Sequence, residues 1–170
     1  IEGMVFSLMG RGDDNIIFGI DPGMRSCGYA VIASKNDNSV QYITSGVIKS
    51  KKGDHVNDIM LRLFNKSNEI IQKYNPSKLS IEETFVNQNP RVSLKLGMSR
   101  SPFIISGKMH NLAIYEYPPR SIKKMITGNG KATKEQVQYM IEVLLGISCA
   151  NMLHDESDAI ALGVSCAIDS

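Results

Sequence analysis

The stretch at residues 16–32, IIFGIDPGMRSCGYAVI, decides the fold. Its first half is rich in β-branched and aromatic residues, which is typical of a buried strand, and stops at one acidic residue, Asp21. Pro22-Gly23 then predicts a turn, because proline fixes φ and glycine accepts positive φ. A second strand at residues 27–34 follows at hairpin spacing, so we expect two antiparallel neighbours. Taken alone, the stretch is typical of an ordinary hairpin turn.

Length and composition favour one compact domain. The chain has 170 residues, of which 42% are hydrophobic, and no low-complexity tract. We expect residues 16–170 to form the domain and residues 1–15, which lack periodicity, to be a disordered extension or cloning remnant. No apolar run approaches the roughly 20 residues of a membrane span, and no secretory signal is evident, so we expect a soluble, cytoplasmic protein without a membrane partner.

Charge and cysteine content exclude little by themselves. The formal charge of +2 is too small to identify a nucleic-acid partner, although an acidic centre can conceal a basic rim within that sum. Cys27, Cys149 and Cys166 stand in apolar contexts without metal-ligand spacing. This pattern favours reduced thiols in the core and does not indicate zinc.

The remaining chain alternates between strand and helix patterns. Further strands are predicted at residues 40–48, 78–82 and 112–117, and helices at residues 56–74, 89–105, 121–126, 133–144 and 154–168. Asp54 is a candidate cap for the first helix, and Asn89-Pro90 is a good start for the second. Pro102 predicts a kink or break near Ser101. The result is an α/β fold.

Acidic residues recur where apolar elements end or begin. The first strand ends at Asp21, the fourth at Glu82, and the last helix begins with Asp155 and Asp158, which share one face at i and i+3. Acids at a helix N-terminus are by themselves typical of capping. This helix, however, is apolar enough to be largely buried, and buried acids need a partner. Four converging carboxylates would bind Mg²⁺ or Mn²⁺, and two such ions support phosphodiester cleavage.

The loop at residues 128–131 and the helix start near Lys134 allow two interpretations. Free N–H groups and nearby lysines could bind a backbone phosphate there, and an ordinary solvated cap fits the same residues. Thr133 and Gln136 have the spacing of a capping box. A P-loop is excluded, because Met125 and Ala132 replace required residues.

The order of these elements resembles the RNase H-like superfamily. Within it the chain resembles the RuvC family of bacterial Holliday junction resolvases, through the motifs FGIDPGMRSCGYAVI, LSIEETFVNQNPRVSLKLGMSR, YEYPPRSIKKMITGNGKATKEQVQYMI and HDESDAIALG. The resemblance covers residue 16 to the C-terminus. It implies an RNase H-like fold, a central five-stranded mixed sheet flanked by helices.

The resemblance also implies an activity and its partners. The expected enzyme is a homodimer that cuts two opposed strands of a four-way DNA junction and leaves 5′-phosphate and 3′-hydroxyl ends. Asp21, Glu82, Asp155 and Asp158 match the catalytic, metal-holding acids of the family, which implies two Mg²⁺ ions per site with Mn²⁺ as a substitute. His154 is a weaker candidate, because Asp155 occupies the position of the histidine ligand of some relatives. A branch-migration helicase complex is the expected partner.

DNA contacts follow from the same resemblance. Phe85 matches an aromatic residue that stacks on a base, although packing beneath its own loop is the alternative. Lys123 and Lys134 match basic residues used near the scissile phosphates. Further candidates for backbone contacts, each equally explained as a solvated charge, are Arg91, Lys95, Arg100, Lys124 and Lys131.

Other classes of protein fit parts of the sequence. An actin-like ATPase or sugar kinase also begins with an Asp and Gly turn between strands, but needs two related domains. A non-catalytic DNA-binding module would be indifferent to metal chelation. An RNase H or a ribosomal RNA processing nuclease would use the same carboxylate chemistry on RNA.

Overall fold

The computed structural model describes residues 15–37, 39–83 and 89–169. These residues form the strands β1 (Asn15–Asp21), β2 (Ser26–Ser34), β3 (Val40–Lys49), β4 (Lys78–Glu82) and β5 (Ala113–Tyr117). The helices are α1 (Val56–Tyr74), α2 (Pro90–Met109), α3 (Pro119–Thr127), α4 (Lys134–Leu145) and α5 (His154–Asp169). Residues 1–14 of the predicted extension lie outside the described residues, and β1 begins one residue before the predicted domain start.

The strands make one mixed sheet in the order β3-β2-β1-β4-β5. β1 and β2 are antiparallel, as are β2 and β3, whereas β4 is parallel to both β1 and β5. This arrangement confirms the predicted hairpin and the five-stranded mixed sheet. Within the described residues, no helix has the length and apolarity to cross a lipid bilayer.

Helices cover both faces of the sheet, which explains the apolar run in β1. Phe18 and Ile20 pack in a core that includes residues of α1 and α2, whereas Ile17 packs in a core with α3, α4 and α5. Phe103 of α2 contacts Phe18 edge-on, with 6.3 Å between ring centroids. A strand buried on both faces needs apolar residues at consecutive positions, and β1 has them.

α5 approaches the sheet more closely than side chains on the strands would allow. A Cβ at Gly19 would lie 2.4 Å from the carbonyl oxygen of Ala159, and one at Gly28 would lie 1.8 Å from that of Asp155. Ser80 of β4 donates its hydroxyl to the carbonyl of Leu162 at 2.7 Å. These contacts fix the first turns of α5 over the ends of β1 and β2.

Of the kink or break predicted near Ser101, the break does not occur. α2 continues from Pro90 to Met109 with Pro102 inside it. Proline removes one hydrogen bond from a helix, but Pro102 and Phe103 are buried here. Tertiary packing of the buried face therefore maintains a helix that local propensity would interrupt.

The helix caps agree with the sequence at two positions and differ at one. Asn89 caps α2, with Pro90 in the first turn, and Thr133 forms the predicted capping box with Gln136. The N-cap of α1, however, is His55 and not Asp54. The Asp54 carboxylate instead accepts a hydrogen bond from the backbone N–H of Lys51 and forms an ion pair with Arg62, eight residues along the chain, which competes with the cap.

The three cysteines are free thiols buried in the core, as predicted. Burial raises the pKa of the Cys27 thiol above its ordinary value, and the same cause raises the pKa values of Cys149 and Cys166. Thiols of this kind stay protonated and unreactive at neutral pH.

Replacing Gly19 with alanine should destabilise the protein, because the new methyl group meets backbone atoms of α5. We expect the free energy of unfolding to fall by about 1–3 kcal/mol, the usual cost of overpacking. Gly97→Ala is the control, since no atom lies within 4 Å of a Cβ there and α2 should gain helix propensity. Urea unfolding measures both; equal stability of the two variants would contradict the close packing of α5.

Candidate active site

The sheet topology places Asp21 and Glu82 side by side. β1 and β4 are parallel, and Ile20 lies beside Ile81 in their register. The next residue of each strand is the acid, so both carboxylates leave the sheet at the same edge. Successive side chains of a strand point to opposite faces, so Glu82 points away from the core in which Ile81 is buried.

α5 adds the second pair of acids at this edge. Gly28 pairs with Asp21 across the hairpin and contacts the backbone of Asp155. Asp155 and Asp158 therefore begin α5 directly over the end of β1, one helix turn apart. The structure brings the four predicted carboxylates together at one end of the sheet.

The neighbours of Asp21 change its acidity. Burial raises the pKa of Asp21 to about 8, and the charges of Asp158, Glu82 and Asp155 act in the same direction. Lys134 opposes the change. Burial also raises the pKa of Glu82, with Asp158 contributing. The four carboxyl groups are therefore close enough to interact electrostatically.

A cleft of about 280 Å³ opens beside these acids between α3, α4 and α5. Glu82 and Asp158 line it together with Lys123 and Lys134, and its apolar wall includes Ile122, Val137, Ala161 and Leu162. The Nζ atom of Lys134 lies 2.9 Å from Oδ2 of Asp158, and this hydrogen bond raises the pKa of Lys134. Acids and lysines thus share one opening.

Comparison with known proteins identifies the family. The family model described as crossover junction endodeoxyribonuclease RuvC matches residues 17–166. The chain belongs to the RuvC family. RuvC of Rickettsia felis is 37% identical over 153 residues, which cover 90% of this chain and 97% of that protein. RuvC of Neorickettsia sennetsu is 38% identical over 151 residues, 88% of this chain and 91% of the relative.

Solved structures of Holliday junction resolvases have the same fold. RuvC of T. thermophilus in complex with a Holliday junction substrate superposes with a TM-score of 0.86 and 24% identity, covering 91% of this chain and 94% of that one. The yeast mitochondrial Holliday junction resolvase superposes with a TM-score of 0.68 and 15% identity, covering 91% of this chain and 78% of that one. These two superpositions show that this chain shares the RNase H-like fold, and they show no more than the fold.

Membership in the RuvC family implies dependence on a divalent metal, and the donor set fits one. The acids offer only hard carboxylate oxygens, which suit Mg²⁺ or Mn²⁺. Their mutual repulsion is the condition that a cation relieves, as the raised pKa of Asp21 indicates. In the described part of the chain, however, no three His, Cys, Asp or Glu side chains form a ready-made metal-binding group. Asp158 contacts Lys134 through Oδ2.

The predicted DNA contacts of this RuvC-family chain are dispersed. Lys123 and Lys134 line the cleft with the acids, whereas Arg91 and Lys95 are exposed at the start of α2. The side chain of Arg100 is only 14% exposed and forms an ion pair with Glu116 of β5. Of the other predicted contacts, Lys124 and Lys131 are exposed, and Phe85 lies outside the described residues.

Sequence reasoning missed the residues that hold α5 in place. Oε1 of Glu156 accepts a hydrogen bond of 2.6 Å from the hydroxyl of Ser45 on β3. Gly28 supplies the space for the helix start. Helical geometry could have indicated this separate role. Glu156 lies between Asp155 and Asp158 in the sequence, but neighbouring helix residues are rotated by about 100°, so its side chain leaves the helix on a different face.

Replacing Asp21 with asparagine should stabilise the metal-free protein. An acid whose pKa rises from 3.8 to about 8 on folding contributes stability below pH 4 and loses it as pH rises toward 8. The advantage of Asp21→Asn should therefore grow between pH 4 and pH 8 in the presence of a chelator. Thermal unfolding across this range measures it.

Magnesium should reverse that advantage by stabilising the wild type more than the variant. Asp37→Asn is the control, because contacts with Ser39 lower the pKa of that exposed carboxyl. It should show no stabilisation at any pH. A melting temperature of Asp21→Asn at or below that of the wild type at pH 8 would contradict the repulsion among the acids.

Proposed function

We propose that this chain resolves Holliday junctions by cutting two opposed strands of four-way DNA through metal-dependent hydrolysis. The observation that carries the proposal is the meeting of Asp21, Glu82, Asp155 and Asp158 at one sheet edge in a member of the RuvC family. The relatives named above are crossover junction endodeoxyribonucleases, and one was solved with its junction substrate. The products are ends bearing a 5′-phosphate and a 3′-hydroxyl.

Asp21, Glu82, Asp155 and Asp158 are the proposed ligands of two Mg²⁺ ions, with Mn²⁺ as a substitute. When bound, such ions activate the attacking water and stabilise the leaving oxygen. Hydrolysis breaks the bond between phosphorus and the 3′ oxygen, which takes up a proton. The protein supplies the rigid sheet edge and α5, which hold the four carboxylates although they repel one another.

Lys123 and Lys134 are the proposed contacts to the phosphates beside the cut. Both line the cleft that contains Glu82 and Asp158, so a phosphate entering it meets positive charge next to the acids. The ion pair between Lys134 and Asp158 positions the ammonium group at this boundary. Phe85, Arg91, Lys95, Arg100, Lys124 and Lys131 are the further proposed DNA contacts.

The cellular setting follows from the substrate. We expect the enzyme to act in the bacterial cytoplasm, where chromosomal junctions arise, because the two RuvC relatives from Rickettsia felis and Neorickettsia sennetsu are bacterial. A branch-migration helicase complex is the proposed partner, by analogy with the family.

Cleavage assays test the activity directly. Wild type with Mg²⁺ should make paired, symmetric nicks in a mobile four-way junction and leave linear duplex uncut. Asp21→Asn should still bind the junction but cut at least about a hundredfold more slowly, since loss of a metal ligand exceeds the usual effect of its outer contacts. Gel analysis of the strands measures both.

Asp37→Asn is the matched control and should cut like the wild type. Chelation should abolish cleavage by every variant. Preferential cutting of an RNA–DNA hybrid would instead assign the chain to an RNase H activity. Activity that persists in a chelator would contradict the metal-dependent mechanism.

The proposed homodimer has a candidate surface on α2. Leu94, Ile105 and Met109 are 66%, 53% and 65% exposed and recur at helical spacing on one face. Met98, which is half-buried, lies on the same face. An apolar stripe of this kind marks an interface, and a twofold dimer would present two active sites to opposed strands.

Acidic residues on this stripe should separate the dimer. Leu94→Glu with Ile105→Glu should sediment as a monomer at micromolar concentration and nick junction strands singly. The control pair, Tyr139→Glu with Val143→Glu, changes residues of similar exposure on α4 and should remain dimeric. A wild-type monomer at that concentration would contradict coordinated double cutting.

A further inference from the structure

A second cleft flanks the catalytic edge on the α1 and α2 side of the sheet. It has a volume of about 620 Å³ and lies between the turn after β1, the loop after β3 and the first turns of α1. Its basic side chains are Arg25, Lys51, Lys52 and Lys95, and we call it the basic cleft. The catalytic cleft lies on the other side, between α3, α4 and α5.

Positive charge in the basic cleft is not neutralised locally. Its acidic residue, Asp54, is paired with Arg62 at 2.6 Å and accepts the backbone N–H of Lys51 at 2.8 Å. Ion pairs among the described residues involve none of the four basic side chains of the cleft. All four are exposed. The cleft therefore has an excess of positive charge, which favours binding of a polyanion.

The backbone that carries these charges is anchored. The backbone N–H of Ser50 donates to the carbonyl of Arg25 at 3.0 Å, and its hydroxyl reaches the same oxygen at 3.2 Å. Arg62 joins the loop to α1 through Asp54. Binding a ligand here would cost less ordering of the backbone than binding on a free tail.

The position of the basic cleft relates it to the catalytic acids. Arg25 belongs to the turn that begins after Asp21, so the basic cleft opens at the same end of the sheet as the four carboxylates. The two clefts approach this edge from opposite faces. Duplex arms leave a four-way junction in different directions, and an enzyme acting at the crossover contacts more than one of them.

We propose that the basic cleft binds the phosphate backbone of a junction arm that leaves the crossover on the α1 and α2 side. This inference rests on the proposed junction-cleaving function and adds Arg25, Lys51 and Lys52 to the DNA-binding residues. Duplex DNA carries about one negative charge per 1.7 Å of its axis, so an arm in this cleft meets several cations at once.

Salt dependence of binding tests the proposal. Lys51→Ala with Lys52→Ala should weaken binding of a four-way junction in a chelator, where no cleavage occurs. The slope of log affinity against log salt is negative, and each lost phosphate contact reduces its magnitude by about 0.9. Two lost contacts should therefore reduce it by about 1.8. The ratio of the junction affinity of the wild type to that of the alanine pair should then fall about tenfold between 50 and 200 mM salt.

Two further variants make the result specific. Lys35→Ala with Lys108→Ala removes the same charge from two exposed lysines: Lys35 follows β2 at the end of the sheet away from Asp21, and Lys108 lies in the last turn of α2. This pair should bind like the wild type. Lys51→Arg with Lys52→Arg should retain the wild-type slope, because the charge is kept.

The outcomes separate this inference from the proposed function. If the alanine pair binds the junction with wild-type affinity and slope, the basic cleft is not a DNA site, even where the wild type cuts junctions. An equal loss in the control pair would likewise overturn the inference, since it would reflect overall charge. If the wild type cuts no junction but the alanine pair alone loses affinity, the cleft stands as a DNA site and the proposed function fails.

Discussion

The direct contact between the backbone of α5 and strands β1 and β2 is the constraint on which the site depends. Gly19 and Gly28 leave room for the helix, and any larger residue would meet the carbonyl oxygen of Ala159 or Asp155. Bringing the four carboxylates together has a cost, because burial and the neighbouring acids raise the pKa values of Asp21 and Glu82. Apolar cores on both faces of β1 supply the stability that holds them together. The fold thus tolerates local repulsion at the proposed active site.

Lysines complete the electrostatics of this edge. Lys134 forms an ion pair with Asp158 and opposes the rise in the pKa of Asp21, so it offsets part of the negative charge among the acids. On the opposite face, the basic cleft places four cations near the same edge, none of which forms an ion pair with another described residue. The small net charge of the chain conceals this separation into an acidic centre and basic surroundings. A nucleic-acid backbone would experience that local pattern and not the sum.

Much of this architecture was accessible from the sequence, because it follows from local rules. Hydrophobic periodicity located the strands, and the Thr133 capping box marked the start of α4. Of the kink or break predicted near Ser101, the break was wrong, because burial of α2 outweighs a lost hydrogen bond. Asp54 does not cap α1, because Arg62 engages it. The ion pair between Lys134 and Asp158 and the basic cleft could not be predicted. Both join residues from distant segments, whose charges appear individually as ordinary solvated side chains.

The order of the acids along the chain has a consequence for biosynthesis. Asp21 and Glu82 belong to strands made early, whereas Asp155 and Asp158 lie in α5, which follows every other described element. A nascent polypeptide that ends before Asp155 therefore lacks two of the four carboxylates and the contribution of α5 to the core on one face of its sheet. Translation of α5 supplies this second pair of acids and its packing against the sheet together, so the four carboxylates meet only when the helix that holds two of them is present.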